Sequence, residues 1–331
     1  MPNTAAHTDP RTTRFVAPVP DADADPTGAL PANGGQAGVA TQEPELVDAP
    51  AGLWRSAWLT MRRRPLFWVS LALIVFSLTI AAFPGLFTTI DPSAGNLRDS
   101  LAGGRSGHPF GFTQQGYDVY SRVIYGARAS VITGIGVTVL VTIFGVLIGA
   151  LAGFFGGWID AILSRLTDIF FAIPLILAGI VLMQLFTHRT IGSVILVLAA
   201  FGWPQMARVV RGAVLTVKHE EYVTASRALG LSKLGTLFKH ILPNCLAPVI
   251  VMATTSLGIY IVAEATLSYL GIGLPTTVVS WGNDISTAQK VLRQAPANLF
   301  YPSAALALTV LGYILMGDCL KDALDPKERR K

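Results

Sequence analysis

The sequence predicts an all-α polytopic membrane protein with about six transmembrane helices. Hydrophobic residues make up 52% of the chain and charged residues only 14%, whereas soluble globular proteins carry about 25% charged residues. Several apolar runs approach the length that spans a bilayer. The basic residues cluster at the ends of these runs, as the positive-inside rule expects. The net charge of +5 therefore reflects the orientation of the spans in the membrane, and we expect no nucleic-acid partner.

Six apolar runs, bounded by glycine, proline or charged residues, are the predicted spans. They cover residues 66–87, 130–154, 166–186, 191–210, 246–270 and 299–320. Pro174 predicts a kink in the third span, and the tripeptide Gly202-Trp203-Pro204 predicts an interruption of the fourth. Arginines precede the first span and lysines follow the last, so both termini are expected on the cytoplasmic side.

The chain divides into four predicted regions. Residues 1–52 are rich in Pro, Ala, Gly and Asp and predict a disordered cytoplasmic tail, with a partner-binding role as the alternative. Residues 53–128 hold an interfacial helix, the first span and an outer loop. Residues 129–326 form a five-span core with a polar loop at 218–244, and residues 327–331 form a basic tail. The first apolar run begins too late for a cleaved signal peptide.

Three smaller features carry predictions. Trp54, Trp58 and Leu59 should face lipid along the interfacial helix. Residues 117–129 have helical spacing and should lie at the outer interface, before the second span. Arg165 and Asp168, one helical turn apart, predict a local ion pair, with a contact to a partner or gate left open.

A glycine stripe marks the second span. Gly145, Gly149, Gly153 and Gly157 recur at every fourth position and leave one smooth helix face for close packing. Packing within the subunit is the favoured interpretation, and a subunit interface is the alternative.

The stretch 220–244, EEYVTASRALGLSKLGTLFKHILPN, is a polar, basic, helix-forming segment between two apolar blocks. We call it the island. Because such a segment cannot lie in hydrocarbon, it must project from the membrane, and its basic residues place it in the cytoplasm. A helix, a glycine break, a second helix and a proline stop are typical of a docking element. The candidate docking residues are Glu221, Thr224, Ala225, Ser226, Ala228, Leu229, Gly230, Leu242 and Pro243.

Glu264 lies within the fifth predicted span. A carboxyl group in hydrocarbon is costly, so Glu264, with Ser268 and Tyr269, is a candidate for lining a translocation path. A hydrogen-bonded structural glutamate is the alternative.

The sequence lacks the common motifs for nucleotide binding, metal binding and catalysis. It has no GxxxxGK[ST] phosphate loop, no HExxH, no CxxC and no GxSxG. We therefore expect no cofactor or metal on this chain and no catalytic residues. Glu264 is the only charged residue deep within a predicted span, so the chain offers a translocation path but shows no proton relay. This indicates that a partner supplies the energy for transport. The alternatives are a self-contained carrier or channel, an intramembrane enzyme using Glu264, and a structural assembly subunit.

The island resembles the cytoplasmic EAA signature of bacterial ABC-importer permeases, E-A-A, three residues, Gly, nine residues, I-x-L-P. Ala225, Gly230, Leu242 and Pro243 fit that pattern. Thr224 and Ser226 replace its Glu and second Ala, and His240 stands at its Ile.

Residues 53–326 as a whole resemble the C-type permeases of the dipeptide, oligopeptide and nickel importers. Residues 112–117 depart from that pattern, reading FTQQGY where the family commonly has T-D-x-x-G-R. The matching pieces, in order, are HPFG, YDVYSRVIYGARAS, LAGFFGGWIDAILSRLTDIFFAIP, GWPQMARVVRG, EYVTASRALG, HILPN, AEATLSYLGIG, SWGN and GDCLKDALDP.

The resemblance implies a MetI-like type I ABC-importer permease fold in the bacterial cytoplasmic membrane. Its partners would be a homologous B-type permease that forms the other half of the pore, one or two cytoplasmic ATPases that bind ATP and Mg, and an extracytoplasmic solute-binding protein. The cargo would be di- or oligopeptides, or alternatively nickel chelates or haem. Trp281, Gly282 and Asn283 would face the binding protein, with an outer cap packed on the span ends as the alternative.

Overall fold

The computed structural model describes residues 53–324, except the side chains of residues 53, 54 and 56. The predictions for the two tails and for Trp54 lie outside the described residues. Helices account for the regular structure within the described range, and only isolated bridges join extended segments there. The helices are α1 (Leu53–Met61), α2 (Pro65–Ala82), α3 (Val119–Phe155), α4 (Gly157–Phe171), α5 (Leu175–Met183), α6 (Ile191–Val217), α7 (Glu221–Ala228), α8 (Lys233–Thr236), α9 (Leu242–Asn244), α10 (Leu246–Tyr269), α11 (Trp281–Gln289) and α12 (Ala297–Leu324).

The prediction of six spans is confirmed. Five helices, α2, α3, α6, α10 and α12, are long and apolar enough to cross a membrane. The pair α4 and α5 passes the same test when taken together, which gives six spans if the pair is one, and it is bent by 77° at a short break that contains Pro174. A proline removes one helical hydrogen bond and clashes with the preceding turn, which explains the bend.

The helical spacing predicted for residues 117–129 is confirmed from Val119 onwards, and their position at the outer interface stays a prediction. Those residues from Val119 onwards belong to α3, a single helix of 37 residues. Its first turn is capped by Asp118, whose Oδ2 accepts a hydrogen bond from the Ser121 amide at 2.7 Å. At 1.5 Å per residue α3 is about 55 Å long, well beyond the roughly 30 Å hydrocarbon core. The predicted regional boundary at 128/129 therefore falls inside one helix that extends out of the bilayer.

The predicted interruption at Pro204 is wrong, because α6 continues through it. Proline has no amide hydrogen, so the carbonyl group four residues earlier, at Ala200, loses its helical partner. The indole nitrogen of Trp203 donates to that carbonyl oxygen at 3.1 Å. The Gly202 carbonyl oxygen accepts from the Tyr260 hydroxyl at 3.1 Å. Side chains thus satisfy the backbone at the position where the sequence indicates a break.

The glycine stripe of α3 packs against α6 within the subunit, which confirms the favoured interpretation. A β-carbon at Gly145 would meet the Met206 side chain at 2.5 Å, and one at Gly149 would meet the Ala207 carbonyl oxygen at 2.4 Å. A β-carbon at Gly153 would approach the Arg211 carbonyl oxygen at 2.9 Å. Gly157 is not part of this contact, because it lies beyond the end of α3 with a φ of +56° and open space around it.

The helical bundle has two ends that carry different features. At one end, which we call the island end, the C-terminus of α3 lies beside the start of the island, and Arg64 pairs with Asp322. The opposite end, the loop end, holds residues 83–118 and residues 270–296. There the indole nitrogen of Trp281 in α11 donates to the Val123 carbonyl oxygen at 2.9 Å, close to the start of α3.

Candidate functional site

The island is almost wholly helical. Helix α7 ends before Gly230, whose φ of +89° is a left-handed conformation that side chains disfavour. Helix α8 follows, and its N-cap Ser232 accepts a hydrogen bond from the Gly235 amide at 3.1 Å. The predicted helix, glycine break and second helix are confirmed.

The predicted stop at Pro243 is wrong. After α8 the chain passes through a π-helical turn, Leu237–Ile241, and then through α9 into α10. Pro243 lies in the first turn of α9, where its missing amide hydrogen costs no helical bond. The island therefore joins α10 through helical backbone, without a flexible connection.

One face of α7 is exposed and carries small or acidic side chains. Glu221, Thr224, Ala225 and Ala228 are all exposed, and their spacing of i, i+3, i+4 and i+7 places them on one side of the helix. We call these four residues the α7 face.

The remaining predicted docking residues differ in exposure. Beyond the α7 face, Leu229 is 89% exposed, although it is a large apolar residue. Gly230 and Pro243 are exposed as well, while Leu242 is half-buried.

The opposite side of α7 anchors the island to the bundle. Val223 is fully buried in the main hydrophobic cluster, which also includes Leu237 and Ile241. The Arg227 guanidinium lies 5.2 Å from the ring centroid of Phe154 at the end of α3. The Lys218 ammonium donates to the Gly153 carbonyl oxygen at 2.8 Å, which also complements the negative end of the α3 dipole.

Ser226 does not lie on the α7 face. Its hydroxyl donates to the Val223 carbonyl oxygen at 2.8 Å within the same helix, and the residue is half-buried. Of the two replaced positions in the E-A-A triplet, Thr224 is therefore exposed and Ser226 is half-buried.

Ion pairs between α4 and α6 reinforce the island end. Arg211 Nε and Nη2 donate to the two oxygens of Asp160 at 2.6 and 2.7 Å. Arg208 Nη2 donates to Asp168 Oδ1 at 2.8 Å. The predicted Arg165–Asp168 pair is present only at 3.9 Å, so Asp168 contacts Arg208 more closely. Sequence reasoning missed these inter-helix pairs, although opposite charges on consecutive spans were a usable signal.

Glu264 is enclosed within the subunit. Its side chain is fully buried, and the Ser268 hydroxyl donates to Oε1 at 2.8 Å. Ser268 Oγ also accepts from the Leu274 amide at 3.1 Å. The Tyr269 carbonyl oxygen accepts from the Ser286 hydroxyl at 2.8 Å. These contacts favour the hydrogen-bonded structural alternative, and a role of Glu264, Ser268 and Tyr269 in the translocation path stays a prediction.

Trp281, Gly282 and Asn283 are buried at the loop end. A β-carbon at Gly282 would lie 2.7 Å from the Ala265 carbonyl oxygen. The Asn283 amide nitrogen donates to the carbonyl oxygens of Pro275 and Val278, both at 3.0 Å. This packing favours the outer-cap alternative over direct contact of these side chains with a binding protein.

The two cysteines are buried free thiols. Burial raises the pKa of Cys245, which directly follows the island, to about 11, so its thiol is protonated and unreactive near neutral pH. No group of three or more potential metal ligands occurs within residues 53–324.

Comparison with known proteins identifies the family. Residues 145–330 match the binding-protein-dependent transport system inner membrane component family, and residues 52–103 match the N-terminal TM domain of oligopeptide transport permease C. The chain is 38% identical over 278 residues to the oligopeptide transport system permease protein OppC of Bacillus subtilis, covering 84% of this chain and 91% of OppC.

Two further relatives have similar coverage. The dipeptide transport system permease protein DppC of Alkalihalophilus pseudofirmus is 35% identical over 83% of this chain and 90% of its own length. The glutathione transport system permease protein GsiD of Pectobacterium atrosepticum is 33% identical over 83% of this chain and 91% of its own length. With five to six candidate spans and these matches, the chain belongs to the family of inner membrane components of binding-protein-dependent transport systems, as a permease of the ABC-importer type.

Proposed function

We propose that this permease forms half of the pore of a peptide importer and receives mechanical work from a cytoplasmic ATPase through the island. Both termini and the island lie in the cytoplasm, in accord with the basic residues of the island end. The B-type permease supplies the other half of the pore, and an extracytoplasmic binding protein delivers the peptide at the loop end.

The α7 face carries this proposal. Three of its four exposed side chains, those of Thr224, Ala225 and Ala228, are short, so a partner groove can approach the helix backbone closely there. The protruding Leu229 lies beside it, and burial of this apolar side chain on docking would favour association. The buried contacts of Val223, Leu237 and Ile241 make the island one rigid element with the bundle.

Force applied to the α7 face passes to three spans. The island continues into α10 through helical backbone. Lys218 and Arg227 link it to the end of α3, and α6 leads directly into it. Closure of the ATPases on ATP therefore tilts these spans together and switches the pore between inward- and outward-facing states, as rigid elements with two arrangements do.

The peptide cargo rests on the names of the relatives, which are permeases for oligopeptides, dipeptides and glutathione. All three named solutes contain peptide bonds. A peptide class therefore accords with the relatives better than nickel chelates or haem.

Reconstitution of the complex tests the proposed function. Liposomes containing both permeases and the ATPases, with the binding protein outside, should accumulate labelled oligopeptide only when ATP is enclosed. Liposomes with this chain alone are the control and should accumulate none. ATP-independent accumulation by this chain alone would instead establish a self-contained carrier.

A further inference from the structure

Three enclosed polar side chains lie together where α10 passes α3, towards the loop end. Glu264 and Ser268 lie one turn apart on α10, and Ser130 lies on α3. Glu264 and Ser130 are 0% exposed, and Ser268 is 1% exposed. We call these three residues the buried carboxyl site. The island, which carries the proposed coupling, lies at the opposite end of the bundle and is not part of it.

The hydrogen bonds of Ser268 assign different roles to the two carboxyl oxygens of Glu264. The Ser268 hydroxyl donates to Oε1 at 2.8 Å, while its oxygen accepts from the Leu274 amide at 3.1 Å. Oε1 is therefore an acceptor. A proton on this carboxyl group would lie on Oε2, because a neutral carboxylic acid has one O–H donor and keeps its other oxygen as an acceptor.

The second carboxyl oxygen of Glu264 lies near an unpaired hydroxyl group. Oε2 of Glu264 and Oγ of Ser130 are both buried, and neither has a hydrogen-bond partner in the described part of the chain. The two side chains are close enough to interact. Since each buried polar atom without a partner is destabilising, one hydrogen bond between Oε2 and Oγ would satisfy both atoms.

No charged side chain within residues 53–324 balances a negative charge on Glu264. The groups there that act on its ionisation are the two serine hydroxyls. Of the charged residues on the adjoining α3 and α11, Arg122 and Asp284 pair with each other, with Arg122 Nε donating to Oδ1 at 2.8 Å, and Arg128 is exposed. The charged residues of α6 and α12 lie in the halves of these helices nearer the island, and α5 has none. Burial without a counter-charge strongly disfavours the ionised carboxylate.

We propose that Glu264 is held as a neutral carboxylic acid, in which Oε1 accepts from Ser268 and the proton on Oε2 is donated to Ser130 Oγ. This bridge fixes α10 against α3 towards the loop end. The island connects the same two helices at the other end, since it continues into α10 and Lys218 donates to the end of α3. Glu264 is thus a positioning residue that makes α3 and α10 one rigid body. The bridge depends neither on the peptide cargo nor on ATPase docking.

Infrared difference spectroscopy of the full-length chain in lipid nanodiscs at neutral pH tests the protonation. The native spectrum minus that of Glu264→Gln should show the carbonyl stretch of a protonated carboxylic acid, because glutamine lacks it. In the Ser130→Ala background the same difference should retain the band at a higher frequency, since the acid has lost its hydrogen-bond acceptor. Thr138→Val is the control background and should leave the band in place, because the Thr138 hydroxyl donates to the Gly134 carbonyl oxygen within α3 at 2.8 Å.

Thermal unfolding of the same variants tests the bridge independently. A glutamine amide offers one acceptor and a donor, as a carboxylic acid does. Glu264→Gln should therefore unfold within a few degrees of the native chain and sustain near-native ATP-driven uptake in the full complex. Glu264→Leu keeps an apolar side chain of similar size but removes both hydrogen bonds, so it should unfold at a clearly lower temperature. Ser130→Ala should lower the unfolding temperature of the native chain but add little to the effect of Glu264→Leu, because the two residues share one interaction.

Absence of the protonated band would overturn the neutral acid, and an unshifted band in the Ser130→Ala background would overturn the bridge. Loss of uptake in Glu264→Gln, with the fold and ATPase binding intact, would also overturn the proposal, since transport would then need the ionised form. The spectra and unfolding curves are recorded without ATPases, so they leave the proposed coupling untouched. Conversely, ATP-independent uptake by both the native complex and Glu264→Gln would overturn the proposed coupling alone.

Discussion

Ala225→Glu should reduce ATP-driven uptake by the full complex at least tenfold, while the chain remains folded in the membrane. Ala225 is exposed at the centre of the α7 face, so glutamate is accommodated in the isolated subunit. In the docked complex, a longer side chain would block close approach, and its charge would be buried without a partner. A buried charge without a partner costs about 3 kcal/mol or more. This corresponds to a loss of over a hundredfold in affinity for the ATPase. Uptake rate and co-purification of the ATPase are the measurements.

Ala225→Ser is the matched control for this prediction, since it keeps a small neutral side chain at the same position. It should sustain near-native uptake and ATPase binding. If Ala225→Glu also transports normally with an intact complex, the α7 face is not the coupling surface.

Gly149→Leu should strongly destabilise the fold of the subunit. A β-carbon at this position would lie 2.4 Å from the Ala207 carbonyl oxygen of α6. Because the obstacle is backbone, α3 and α6 must separate along their contact. Overpacking typically costs 1–3 kcal/mol and more when backbone must move, so we expect at least about 3 kcal/mol. Thermal unfolding of the detergent-solubilised chain measures the loss.

Gly212→Leu supplies the comparison, because Gly212 also lies in a long helix but faces open space. A β-carbon at Gly212 would meet no atom of a neighbouring element within 4 Å. The same substitution there should leave the unfolding temperature within a few degrees of the native value. Equal destabilisation by both variants would mean that the glycine stripe does not set the α3–α6 distance.

Local chemistry explains which parts of the fold were predictable from the sequence. Hydropathy located the six spans, Pro174 located the bend between α4 and α5, and the four-residue glycine repeat located the face that packs on α6. Each of these features depends on residues close together in the chain.

The failures arose where a distant or unexpected partner decides the outcome. Pro204 does not break α6, because the Trp203 indole and the Tyr260 hydroxyl satisfy nearby carbonyl groups. The Arg122–Asp284 pair joins residues 162 positions apart, and the local sequence around either residue does not indicate that they pair. Tertiary contacts of this kind override local propensity.

The location of the candidate site could be predicted from the sequence, but not which of its side chains are exposed. The EAA resemblance located the island and its glycine break. Only the helical phase of α7 separates the exposed Thr224 and Ala225 from the inward-facing Ser226, whose hydroxyl is bonded within the helix.

Thiol protection tests the central claim most directly. The variant Ala225→Cys should react readily with a maleimide in the permease pair, whereas native Cys245 is buried, with a pKa raised to about 11, and should stay silent. Addition of the ATPases should slow labelling of Ala225→Cys at least tenfold, but should not affect Ser106→Cys at the loop end. Unchanged labelling of Ala225→Cys in a complex that contains bound ATPases would contradict docking at the α7 face.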